Sequence, residues 1–203
     1  MAILTLPDIK PSSARLVLAG NTQSFTSPLD GSTQTLRLPG ATWRLSLVYD
    51  RLIGARLADM EAFVAEMEGQ SGRCYAHHPH RRFPRGPALG VPVVDGAGQA
   101  GSVLLTRGWQ ANLAGILLRG DLVAFDTASG RELKRVIADA NSDSAGKASL
   151  QIRPALRKPP ADGVAIVTED ASCIMRLADD QQGGVDITPP GRGAFRLDLV
   201  ESF

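Results

Sequence analysis

Aromatic residues are scarce in this chain, at 5% of 203 positions, and cysteine is scarcer still, with two copies. Two cysteines are too few for a disulfide framework. Cys74 and Cys173 each sit in a short apolar context and read as reduced core thiols. Long hydrophobic runs are missing as well, none approaching the ~20 residues of a membrane span. The opening Met-Ala-Ile-Leu-Thr-Leu-Pro-Asp lacks the basic start and extended apolar centre of a secretion signal. Synthesis in a bacterial-type cytoplasm with no membrane partner is the expectation. Charge of one sign is absent too: 22 Lys and Arg face 21 Asp and Glu, so no bulk field recruits nucleic acid or an anionic membrane. Finally, there is no Gly-x-Ser-x-Gly elbow, Walker loop or His-Glu-x-x-His. The chain is expected to be neither an enzyme nor a holder of a cofactor.

What is abundant is punctuation. With 21 glycines, 13 prolines and few helical patterns, the composition favours short strands joined by turns. A chain of this length hides about 70% of its unfolded surface, enough for a substantial core. The most informative stretch runs from residue 34 to residue 76. Leu36 and Leu38 alternate with Thr35 and Arg37; Trp43, Leu45, Leu47 and Tyr49 alternate with Arg44, Ser46, Val48 and Asp50. Pro39-Gly40 between them fits a type II turn, so this pair is expected to form a β-hairpin. Leu57, Met60, Phe63, Val64 and Met67 then make one apolar stripe, predicting a helix over about residues 55–68 that stops at Gly69.

On either side the pattern is strand-like. Residues 1–13, with two prolines, read as an extended arm or edge segment, and Ala14, Leu16 and Leu18 as a first strand ending at Gly20-Asn21. Phe25 is expected to begin or anchor a second strand, and Ser27 to Ser32 to turn. After a short strand at Arg73 to Ala76, the proline-broken run from His77 to Pro87 marks a domain boundary. Short apolar runs then recur at about ten-residue spacing, around Val91, Val103, Ile116, Leu122, Val136, Leu150 and Val164, with glycine and aspartate turns between them. No helical pattern intervenes, so residues 88–169 are expected to be all β, a small barrel or sandwich. Cys173 to Leu177 and Phe195 to Leu199 resume the earlier style, separated by Pro189-Pro190-Gly191. A lone terminal strand needs a host sheet. The expected organisation is one discontinuous domain, 1–87 plus 170–203, with 88–169 inserted and the Cys74 and Cys173 strands in one sheet.

Three clusters invite a chemical reading. His77-His78-Pro79-His80 could bind zinc, but a proline interrupts it and three arginines beside it oppose a cation; no metal is expected. Gly96-Ala97-Gly98-Gln99-Ala100-Gly101 spells a dinucleotide fingerprint, yet a strand follows where a helix is required. Asp139 to Gly146 loosely suggests a calcium loop, but its glycine comes late and no glutamate closes it, so it reads as a hairpin turn. Arg81, Arg82 and Arg85 beside Phe83 form a basic patch, either a solvated loop or a contact with a neighbouring subunit.

The order of these parts resembles the distal tail protein of long-tailed, non-contractile bacteriophages and prophages. The likeness lies in Phe25 to Gly31 (Phe-x-Ser-Pro-Leu-x-Gly), Leu38 to Trp43 (Leu-Pro-Gly-Ala-x-Trp), the helix with Phe63 and Gly69, and Gly72-Arg-Cys-Tyr75. Gly120-Asp121, Ala138 to Ala148 and Pro159 to Asp162 add to it. The resemblance implies a fold that is mainly β with one α-helix: a tail-tube-like β-sandwich belt domain carrying an inserted small all-β barrel, OB-like or galectin-like. It implies a structural virion protein of the tail tip, without reaction or cofactor, in a homohexameric ring joining the tail tube protein to the tail-tip hub, with the tape measure protein a further partner. Arg44, Arg81, Arg82 and Arg85 are then candidate subunit contacts, with Arg44, Ser46 and Asp50 facing the channel or a neighbouring copy. Alternatives are a carbohydrate- or receptor-binding module, for which Trp109 is the main aromatic, and a hydrolase with an unrecognised site.

Overall fold

The alternation at Trp43 to Tyr49 becomes the middle of a sheet. A computed structural model of the chain describes residues 2–189 and 191–203, and it is mainly β with one α-helix. In chain order the elements are β1 (Leu4–Thr5), β2 (Ser13–Thr26), β3 (Thr33–Leu52), α1 (Ala55–Glu66), β4 (Cys74–His77), β5 (Gly90–Val94), β6 (Val103–Trp109), β7 (Leu122–Thr127), β8 (Gly130–Val136), β9 (Ala148–Arg153), β10 (Ser172–Leu177), β11 (Asp186–Thr188) and β12 (Arg192–Glu201). Two sheets result. The first runs β1-β4-β10-β12-β3-β2, with β11 beside β12; the second runs β5-β6-β9-β8-β7.

In the first sheet Trp43, Leu45, Leu47 and Tyr49 are buried on one face of β3, with the exposed Arg44 and Asp50 on the other. β12 lies antiparallel beside them, Phe195 opposite Tyr49, Leu197 opposite Leu47 and Leu199 opposite Leu45. Two alternating strands in this register put their apolar positions on the same side. The strands flanking the second sheet also pair: Cys173 of β10 faces Ala76 of β4, and Met175 faces Cys74. The chain thus leaves the first sheet after β4 and re-enters it on the neighbouring strand. Both thiols are buried and free, and burial pushes that of Cys74 up to about 12.

α1 contributes Met60 and Phe63, and its C-cap contributes Met67, to the core of the first sheet. Burying such side chains stabilises by about 1.5–3 kcal/mol each. The helix stops where Glu68 and Gly69 take left-handed φ values of 46° and 66°. Gly72 then passes so close to the Met67 carbonyl that a Cβ would sit 2.2 Å from its oxygen, a turn only glycine makes.

The second sheet curls into a half-barrel around Leu104, Val123, Phe125, Val136, Leu150 and Ile152. Residues 164–167 span its open side, bridging β5 at Val93–Ala165 and β7 at Ala124–Val167. They are single bridges, not the strand their apolar run predicts. Ile116 to Leu118 likewise makes only the Leu117–Ala140 bridge, with Ile116 and Leu117 filling the barrel. β7 buries both faces: Val123 and Phe125 point into the barrel, while Leu122 and Ala124 join the first sheet's core with Leu133 of β8.

Polar groups pin this seam. Trp43 Nε1 donates to the Leu133 carbonyl at 2.8 Å. Arg157 forks onto Glu201 at 2.7 and 2.5 Å, and Glu201 also accepts the Trp43 backbone N–H at 2.9 Å. Lys134 is fully buried, 2.6 Å from Glu132 and 2.8 Å from the Ala155 carbonyl. Its burial lowers its pKa, against the pull of Glu132.

Two expectations about the hairpin change. β3 runs unbroken through Pro39-Gly40, and the turn of the β2–β3 pair is at Ser27 to Ser32. Pro39 and Gly40 instead form an irregularity opposite Gly20, where the register slips between Ala19–Thr42 and Asn21–Leu38. Gly40 takes φ +102°, and Asn21 Nδ2 donates to the Pro39 carbonyl at 2.8 Å. A Pro-Gly pair suits a bulge as well as a tight turn, and the partner strand decides. β2 accordingly continues past Gly20-Asn21 and contains Phe25. The N-terminal arm is an edge segment: β1 pairs in parallel with β4, and Leu6 is buried. Of the Pro189-Pro190-Gly191 breaker, Pro190 lies outside the described residues; Gly191 donates to the Thr188 carbonyl at 2.9 Å, closing the β11–β12 turn.

Candidate functional site

The β2–β3 pair outruns the sheet that supports it. β12 accompanies β3 only from Arg44 to Leu52, whereas β2 and β3 stay paired from Asn21–Leu38 to Thr26–Thr33 with no third strand among the described residues. Six residues of strand at about 3.3 Å each make a ribbon reaching roughly 20 Å beyond the bulge. Its turn is held by Asp30, whose Oδ1 accepts the Ser32 N–H at 3.1 Å and hydroxyl at 2.8 Å. Gly31 supplies the positive φ of 70°.

The ribbon has two unlike faces. Residues directly opposite share a face, so Asn21, Gln23 and Phe25 lie with Leu38, Leu36 and Gln34. Thr22, Ser24 and Thr26 lie with Arg37, Thr35 and Thr33. The first face is apolar and amide-bearing, the second is hydroxyls and one arginine. Beyond the partly buried Leu38 at its base, the first face is open among the described residues: Phe25 is 67% exposed, Leu36 59%, and Leu29 at the tip 96%. A two-stranded ribbon is marginal in water by itself, and an uncovered apolar face on one marks a contact surface. β2 also forms an outer edge of the first sheet, leaving a row of backbone groups for strand addition.

The arginines expected at contacts separate in space. Arg44 is exposed on the polar face of the first sheet, opposite Val17 and Val200. On that face Ser46 donates to Asp198 at 2.5 Å, and Arg196 reaches the same carboxylate at 3.1 Å. Arg82 is a structural tie: its Nε and Nη2 each sit 2.8 Å from an oxygen of Asp170, and Nη1 lies 3.4 Å from Asp8. Those hydrogen bonds hold the Asp170 carboxyl below its usual range. His77 approaches the same carboxylate at 3.7 Å, and the His78 and His80 rings meet edge-on at 6.2 Å.

Arg81 and Arg85 instead line a pocket of about 430 Å³ with His80, Phe83 and Arg119. Arg119 carries no sequence signal; it arrives from the loop before β7, its backbone N–H fixed on Asp139 at 2.7 Å. Trp109, the aromatic a sugar reader would present, is 4% exposed and donates to Thr106 Oγ1 at 2.8 Å inside the barrel. The Gly96 to Gly101 stretch is a turn leading into β6, and Asp143 forms an Asx turn, accepting the N–H groups of Ala145 and Lys147 at 2.8 Å. Among the described residues no helix is long and apolar enough to cross a membrane.

No protein-family profile matches the chain, and no curated protein sequence matches it.

Proposed function

We propose that this chain is a structural subunit of a bacteriophage tail tip, one copy of a homohexameric ring that joins the tail tube to the tail-tip hub. It carries no reaction and no cofactor in this reading, is made in the host bacterial cytoplasm, and resides in the virion. Its partners are other copies of itself, the tail tube protein, the hub proteins and the tape measure protein. The carrying observation is the β2–β3 ribbon, a projecting element whose Phe25, Leu29 and Leu36 are exposed. Ring subunits meet through unlike surfaces, and the chain offers two: this ribbon, and the polar face that bears Arg44, Ser46 and Asp50. The order of sequence features that resembles distal tail proteins points the same way.

Native mass spectrometry of the purified chain tests the assembly, alongside a variant in which residues 23–36 are replaced by Asn-Gly. A closed oligomer is expected for the intact chain. A monomer with an unchanged melting temperature is expected for the variant, because the sheet core begins below the bulge. Peptide mass spectrometry of purified phage particles tests the location. A strictly monomeric chain that is also absent from virions would end the proposal.

A further inference from the structure

The loop between the two sheets has more positive charge than the fold uses. Asp121 is buried, and its carboxylate accepts the backbone N–H groups of Arg85 and Gly86 at 3.1 Å each, that of Leu118 at 2.8 Å, and Arg85 Nε at 3.3 Å. Four donors occupy that acid completely. Arg85 also donates to the Arg119 carbonyl, which draws the two loops together at the pocket. Arg81 and Arg119 side chains make no hydrogen bond or ion pair among the described residues, and both are exposed. Behind them Arg135 Nε is buried without a partner, its guanidinium 5.0 Å from the Trp43 ring. Burial, then Arg81 and His80, lower the pKa of His78; burial, then Arg81, lower that of Arg135.

Phe83 stands in the same pocket, 67% exposed. An aromatic face beside unpaired guanidinium groups suits a ligand with a ring at one end and an oxyanion at the other. The pocket, about 430 Å³, has room for the rest of an organic molecule beside the phosphate.

We infer that this pocket binds an organic monophosphate, the phosphate held by Arg81, Arg85 and Arg119 and the attached ring laid against Phe83. Arginine forks match phosphate oxygens in pairs, which makes the contact directional as well as attractive. The ring is a sugar or a nucleobase-bearing ribose; both present a face to an aromatic side chain. This site is independent of ring assembly, and its failure would leave the tail-tip reading untouched.

Isothermal titration of the full chain with glucose 6-phosphate, AMP and inorganic phosphate tests the inference. At least one of the two organic phosphates should bind more tightly than inorganic phosphate, and the better of the two identifies the ring. Arg81→Ala combined with Arg119→Ala should weaken binding at least about ten-fold, because charge-assisted hydrogen bonds are lost. Both side chains are exposed and unpaired, so the variant should keep its melting temperature. Phe83→Ala should erase the preference over inorganic phosphate while leaving inorganic phosphate binding intact. No saturable binding of any of the three at millimolar concentration overturns the site, as does binding undiminished in the double arginine variant. A preference that survives Phe83→Ala overturns the placement of the ring.

Discussion

β2 and β3 pair from Ser13–Val48 to Thr26–Thr33, but the two halves of that pair live in different environments. In the proximal half β3 has β12 on its other side and a continuous apolar face of Trp43, Leu45, Leu47 and Tyr49. In the distal half the same two strands have no third neighbour among the described residues, and Phe25 and Leu36 are open. Backbone hydrogen bonding is alike in both. The difference is what lies against the side chains, which decides whether a pair of strands is a wall or an arm. The bulge at Gly20 and Pro39-Gly40 is where one becomes the other.

That contrast can be broken in order of size. Removing Glu201 by alanine leaves Arg157 without its carboxylate and the Trp43 N–H without its acceptor. Losing one partner of a buried pair costs about 3–5 kcal/mol, read as a shift in urea midpoint. Leu47→Ala in the proximal half should cost about 2–5 kcal/mol through the cavity it leaves. Leu36→Ala in the distal half of the same strand should stay within about 0.5 kcal/mol, as exposed positions do. Equal losses at the two sites would mean that the ribbon is packed after all. Gly40→Ala should cost about 1–3 kcal/mol, since a side chain at φ +102° is strained. A neutral result there would show that the joint relaxes.

A further test is a titration. Burial, with Arg81 and His80, holds the folded pKa of His78 below its ordinary value of 6.5. The unfolded chain therefore binds more protons in this range, so the contribution is complete above 6.5 and is lost as pH falls below it. His78→Asn should flatten the stability profile below pH 6.5, the group's ordinary value, as read from urea unfolding at each pH. A steeper profile in the variant would reverse the assigned sign.

Periodicity carried the sequence reading wherever a strand had one buried face. Trp43 to Tyr49, the Leu57 to Met67 stripe and Phe195 to Leu199 were all legible because alternation or three- and four-residue spacing survives into burial. Pro39-Gly40 was misplaced as a turn because its role depends on Gly20 and Asn21, far away in sequence and directly opposite in space. Ile116 to Leu118 and Val164 to Val167 look like strands because apolar runs report burial, and irregular backbone can be buried too. The pocket was half visible. Arg81 and Arg85 stood out as a local cluster, while Arg119 comes from beyond β6 and nothing near it in the sequence marks it. Leu29 was hidden in plain view, read as part of a turn without the exposure that a turn implies.

β12 is the central strand of its sheet, and it is translated late. Trp43 and Glu201, joined by a hydrogen bond, are 158 residues apart in the chain. At ribosomal speed that interval is roughly eight to thirty seconds. The segments of the half-barrel, residues 90–167, are made within that interval, so β3 receives β12 only after them. β12 thus closes the gap between β10 and β3, and Arg157, on the segment after β9, is the side chain that meets its Glu201.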